Sequence, residues 1–214
     1  MWRTFAMLCV LCGGMFSTAS RAAADVPMPT EAEVAAAVAE EIAGMNVCSS
    51  YLPFAFGSNN GIALLQDRNW RESDPIKAAI AAFVHEKLAT QGTQPDANGN
   101  QVPTLQLTAA GKQAFDPTWG RGVLCFAKRK LVDVVMYTPP AMQDTYVVVN
   151  VVYRWKPDAV APWAAPLARA QALGGISAAD LAADKRETMV LIYTNQGWKA
   201  QTWFGSPIGK PARP

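Results

Sequence analysis

The chain has 214 residues, of which half are hydrophobic and 17% are charged, with 19 Lys+Arg against 17 Asp+Glu and one His. That length suits one substantial core or two small packed subdomains, and the composition shows no repeat or long disordered tract. A lone His excludes a metal site built on two imidazoles.

The N-terminus has the pattern of an export signal. Arg3 is a short basic region, Phe5 to Phe16 is an apolar run, and Ala22-Ala23-Ala24 offers a cleavage site before Asp25. We therefore expect residues 1–24 to be a signal peptide. The alternative is an uncleaved anchor, but the run is short for a membrane span. Cleavage removes Arg3 and Arg21 and no acid, so the charges balance. A neutral chain has little general attraction for nucleic acid or anionic membrane. The basic triplet Lys128-Arg129-Lys130 reads as a solvated strand end.

Export also leaves two of the four cysteines, Cys48 and Cys125. In an oxidising compartment such a pair is most simply one disulfide, closing a loop that contributes about 4–5 kcal/mol in the chain-entropy picture. Two buried free thiols, or a nucleophilic Cys48 served by His85, are the alternatives.

Thr30-Glu31-Ala32-Glu33 is a capping box, and Val34, Val38, Ile42 and Met45 continue a helical stripe ending near Gly44. A loop through Cys48 and Tyr51-Leu52-Pro53-Phe54 follows. Ser73-Asp74-Pro75 begins a second helix, expected to reach about Ala89 with Gly92 as its cap. Residues 93–103 are rich in turn formers, with Asn98-Gly99 the strongest signal. A short strand, Thr104 to Leu107, then enters LTAAGKQAF.

From residue 122 the period becomes two. VLCFAKRKLVDVVMYT holds one or two strands, and Thr145 to Trp155 holds another. Its Val147, Val149, Val151, Tyr153 and Trp155 form an apolar face directed at the core. Pro157, Pro162 and Pro166 break the next stretch, and Ser177 to Asp180 caps a short helix. Glu187 to Thr194 and Trp198 to Phe204 read as a hairpin about Asn195-Gln196-Gly197.

Helices first and strands afterwards predict an α+β fold, with N-terminal helices packed on a C-terminal antiparallel sheet of about four to five strands. Residues 25–206 form this domain, divisible into a helical, wing-like part (25–117) and a sheet part (118–206). Residues 207–214 are a loose tail. Helix, turn-rich loop, strand and LTAAGKQAF resemble the wing of winged-helix proteins, over about a fifth of the chain. The chain has no helix pair at helix-turn-helix spacing and no basic face, so the wing is expected to be structural or protein-binding. LTAAGKQAF, the Cys-bearing strand, VVYRW, Pro162-Trp163-Ala164 and YTNQGW together resemble a group of uncharacterised exported proteobacterial proteins. That resemblance implies export and kinship of fold, and no activity.

Catalytic motifs are sparse. His85-Glu86 begins like a zinc-peptidase helix, but Ala89 stands where the second His belongs, and His85 lies off the apolar stripe. The serines sit at caps or in loops, without the G-x-S-x-G elbow. No glycine-rich phosphate loop follows a strand. Glu40, Glu41, Asp116, Asp133 and Asp144 are carboxylates from which no pair stands out. No metal or cofactor is expected. Aromatic residues in loops are the better binding candidates: Trp70, Trp119, Tyr51 and Phe54. The expectation is a periplasmic or secreted, non-catalytic protein that binds a protein or cell-envelope component, in the manner of an inhibitor or immunity protein. The alternatives are a cell-wall or polysaccharide hydrolase using dispersed carboxylates, and an intracellular winged-helix regulator with a misread N-terminus. The sequence sets no oligomeric state.

Overall fold

The computed structural model describes residues 28–57, 61–65, 74–96, 98–117 and 122–201. Helix α1 spans Glu31–Ala43 and opens with the expected reciprocal cap. Glu33 N–H donates to Thr30 Oγ1 at 3.2 Å, and Thr30 N–H donates to Glu33 Oε2 at 2.7 Å. Val34, Ala37, Val38 and Ile42 form its buried stripe. Each large side chain among them contributes roughly 1.5–3 kcal/mol by leaving water.

After α1 come β1 (Asn46–Cys48), β2 (Ile62–Leu64), α2 (Asp74–His85), β3 (Ala89–Pro95) and β4 (Gln101–Leu107). Next are α3 (Ala109–Ala114), β5 (Phe115–Asp116), β6 (Val123–Tyr137), β7 (Ala141–Gln143) and β8 (Tyr146–Asp158). Helix α4 (Ala164–Arg169), a 3-10 turn (Ala179–Leu181), β9 (Lys185–Thr194) and β10 (Gly197–Ala200) complete the chain.

The fold is α+β, but the main sheet is larger than the expected four to five strands. Among the described residues it has seven antiparallel strands, in the order β1-β6-β8-β9-β10, with β5 on β6 and β7 on β8. The additional strands are two or three residues long, too short to show a period. Strand β1 belongs to the N-terminal half of the chain and reaches the sheet through Cys48. Its Cys48 lies directly opposite Cys125 of β6, and the two form a disulfide. A second sheet, β2-β4-β3, lies among the N-terminal elements.

Strand β8 follows the expected facing. Val149, Val151, Tyr153 and Trp155 are at most 2% exposed and share one core with the α1 stripe. Strand β6 is a single strand with two bulges, which leave Val132 and Val135 exposed. Pro157 sits inside β8 and does not end it. Pairing with β9 stops at Trp155–Lys185, and Arg129, opposite Pro157, gives its N–H to Met45 instead. The missing proline N–H therefore leaves no gap in the ladder.

Helix α2 stops at His85, before the expected Ala89. Lys87 takes a left-handed φ of 58°, Lys87 N–H donates to Val84 O, and Leu88 N–H donates to Phe83 O. This is a Schellman ending with lysine in the place glycine usually takes. Its apolar clasp is Phe83 with Leu88, both fully buried. Gly92 is not a cap. It lies in β3 opposite Thr104, in a hairpin with β4 that turns at Asp96–Asn100.

Candidate binding groove

The groove is built where the chain leaves β1. Ser49 is buried and prolongs the pairing with β6. Its N–H donates to Leu124 O at 2.9 Å, and its Oγ accepts from Leu124 N–H at 3.0 Å. Beyond it the side chains alternate: Tyr51 is 58% exposed, whereas Leu52, Phe54 and Phe56 are buried. The backbone of Tyr51 rests on Gly174. A Cβ there would lie 2.4 Å from Tyr51 O and 2.6 Å from Tyr51 N, so only glycine permits the approach.

The opposite wall begins at the end of α4. Gln171 has a left-handed φ of 55° and donates its N–H to Ala168 O, while Ala172 N–H donates to Leu167 O. This second Schellman ending turns the chain beneath Tyr51. Gly174 and Gly175, both at positive φ, carry it to Ser177. There the Ser177 hydroxyl donates to Asp180 Oδ2 at 2.6 Å, and Asp180 N–H donates back to Ser177 Oγ. The hydroxyl of Ser177 first, and then its backbone N–H, which donates to the same Oδ2 at 2.8 Å, hold the Asp180 carboxyl below its ordinary range.

Between the walls lies an open groove of about 490 Å³, lined by Tyr51, Ala168, Arg169, Gln171, Gly175, Ile176, Ser177 and Ala178. That volume is within the range of small-ligand sites. The phenol ring of Tyr51 offers a stacking surface, and Gln171 an amide. Arg169 is exposed and has no ion-pair partner among the described residues. Among the described residues the lining contains no Asp or Glu, so the groove is suited to a ligand that brings its own negative charge.

Of the four aromatic candidates, Tyr51 alone is seen at this groove. Phe54 is a core residue. It is 7% exposed and packs edge-on against Phe56 and Phe83, at 5.4 and 5.0 Å between ring centres. Trp70 and Trp119 lie outside the described residues, as do residues 1–24 and 207–214. His85 is a surface residue bonded to Glu86 at 2.8 Å. The candidate carboxylates lie apart from the groove: Asp133 pairs with Arg154, and Glu40 with Lys199. The Arg154 guanidinium holds the Asp133 carboxyl below its ordinary range.

Sequence reasoning missed Arg169, Gln171 and the glycine pair, because nothing local joins them to Tyr51. It also missed a polar cluster on the core face. Arg129 donates to Glu187 at 2.6 Å and stacks over the Trp155 ring at 4.2 Å, and Tyr153 O–H donates to Glu187 at 3.2 Å. Burial first, and then the neighbouring Glu187 charge, push the Tyr153 phenol up to about 12. Arg129 Nε and Trp155 Nε1 are buried donors without an acceptor among the described residues. Among the described residues no helix is long and apolar enough to cross a membrane. No family model, curated protein or solved structure matches the chain.

Proposed function

We propose that this is an exported, non-catalytic protein that binds a protein or cell-envelope component through the Tyr51 groove. The observation that carries the proposal is the groove itself, with an exposed aromatic ring and, across one cleft, an arginine that has no ion-pair partner among the described residues. Tyrosine and arginine are the side chains over-represented at binding surfaces. The disulfide is in keeping with an oxidising compartment and hence with export. The ligand supplies a carboxylate to Arg169 and a flat or apolar group to Tyr51.

The test places a photo-reactive phenylalanine analogue at position 51 and, in a second protein, at position 85. His85 is the exposed control, its side chain 84% accessible. Irradiation in envelope extract is expected to give a discrete adduct from position 51 and none from position 85. Adding Arg169→Glu is expected to reduce that adduct about tenfold or more, the loss of one charge-assisted contact. Equal labelling from both positions, or labelling indifferent to Arg169, refutes the proposal. Purified peptidoglycan incubated in parallel stays intact on this reading. Turnover abolished by a single Asp or Glu substitution establishes the hydrolase instead.

A further inference from the structure

The disulfide lies on the solvent side of the sheet. Asn46 is opposite Lys128, Val47 opposite Ala127, and Cys48 opposite Cys125, so the register skips Phe126. Paired residues point to the same face. Asn46 and Cys48 alternate with Val47, and the skipped residue brings Cys125 onto the same side as Lys128. The other side carries Val47 and Ala127, which belong to the core. Both cysteines are half-buried, Asn46 and Lys128 are exposed.

A groove of about 340 Å³ opens on this face. Cys125, Lys128 and Asn46 line it, together with Gln113 of α3 and Trp163 just before α4. Cys48 is not in its wall. Lys128 has no ion-pair partner among the described residues. Asp158 stands opposite it in register, but the ion pair that Asp158 makes is with Lys130, at 3.9 Å. A half-buried disulfide beside an open groove is within reach of a small thiol, and a cation in the groove wall draws in a negatively charged attacking thiolate.

We infer that Cys48–Cys125 is a site of thiol–disulfide exchange with a small carboxylate-bearing thiol, which enters this groove and attacks Cys125. The incoming thiolate forms a bond to Cys125 Sγ, the Cys48–Cys125 bond breaks, and Cys48 leaves with the electron pair as a thiolate. A second molecule of thiol attacks the first at its own sulfur. That step releases the small-molecule disulfide and leaves both protein cysteines reduced. Lys128 receives the carboxylate and favours the approach of a negative thiol, and Trp163 walls the groove. Strand β1 keeps its backbone pairing and the Ser49–Leu124 bonds throughout, so the mixed disulfide forms on the folded protein.

The experiment incubates the native protein with reduced glutathione and no denaturant, followed by acid quench, alkylation and peptide mapping by mass. The expected product carries glutathione on Cys125 and alkyl on Cys48, with the near-ultraviolet circular dichroism retained. Its rate is expected to be within about tenfold of that in denaturant, because access does not require unfolding. Lys128→Glu is expected to slow glutathione about threefold or more. Cysteamine, whose thiolate carries no net charge, changes less than about twofold in the same variant. Reaction that starts only in denaturant, glutathione found on Cys48, or equal slowing of both thiols overturns the inference.

Discussion

Gly111→Ala tests whether packing or propensity governs α3. Gly111 lies inside this six-residue helix, where alanine is the better helix former by about 1 kcal/mol. Judged as an isolated helix, the substitution stabilises. The tertiary structure reverses the sign. An added Cβ would lie 2.0 Å from Leu88 O and 3.0 Å from both Leu88 C and Leu107 Cδ2. The nearest atom is backbone, held by the Schellman ending of α2, so it yields little. Helix α3 must instead back away, and its anchor goes with it. Thr108 donates its N–H to Leu88 O at 3.0 Å and its hydroxyl to Lys87 O at 2.7 Å, while Gly111 N–H donates to Thr108 Oγ1. Overpacking costs about 1–3 kcal/mol, and here the upper part of that range applies. One lost hydrogen bond adds about 1 kcal/mol. Subtracting the helix gain leaves a net loss of about 2–3 kcal/mol. With a urea slope of about 2 kcal/mol per molar, the midpoint falls by about 1–1.5 M. Urea titration followed by Trp fluorescence reads it directly. A midpoint equal to or above that of the parent protein refutes the close approach.

Three further predictions bear on the same structure. Lys87→Gly relieves a left-handed lysine and is expected to raise stability by about 0.5–1 kcal/mol in urea titration, the relief of strain exceeding the added unfolded-state freedom; a fall in stability contradicts the Schellman ending. Phe54→Ala is expected to cost about 3–5 kcal/mol, as a core cavity does, whereas Tyr51→Ala is expected to stay within about 0.5 kcal/mol of the parent protein. Similar losses at both positions remove the distinction between core and groove. The raised Tyr153 phenol gives a contribution that is complete below pH ~10, the unfolded value, and is lost as pH rises through about 12. Ultraviolet titration of phenolate is therefore expected to show one late component that disappears in Tyr153→Phe, and a component titrating near the ordinary value contradicts the buried contact with Glu187.

Much of the local structure was legible because its causes are local. Thr30 and Glu33 are three residues apart and cap each other, so the start of α1 follows from four residues. The alternation in β8 names its buried face without reference to any other strand, and Asn98-Gly99 marks its hairpin turn unaided. The cysteine pair was deduced from elimination and compartment. The end of α2 was misplaced because lysine stands where glycine is the usual signal. Strand β1 leaves no signal in the sequence, since three residues carry no period.

What the sequence by itself determined is the class, a mixed α+β fold, and the pairing of Cys48 with Cys125. What only the tertiary structure decided is which side chains face each other. Tyr51 and Phe54 are equivalent as loop aromatics in sequence, yet one is exposed at a groove and the other is buried against Phe83. Arg169 and Gln171 meet Tyr51 across more than a hundred residues of chain, because Gly174 lets two backbones come closer than any side chain allows. The skipped residue in β6 likewise sets Lys128 beside Cys125. Periodicity and caps act over one or two turns of chain, whereas a site is made by contacts between segments, and those are chosen by the packing of the whole core.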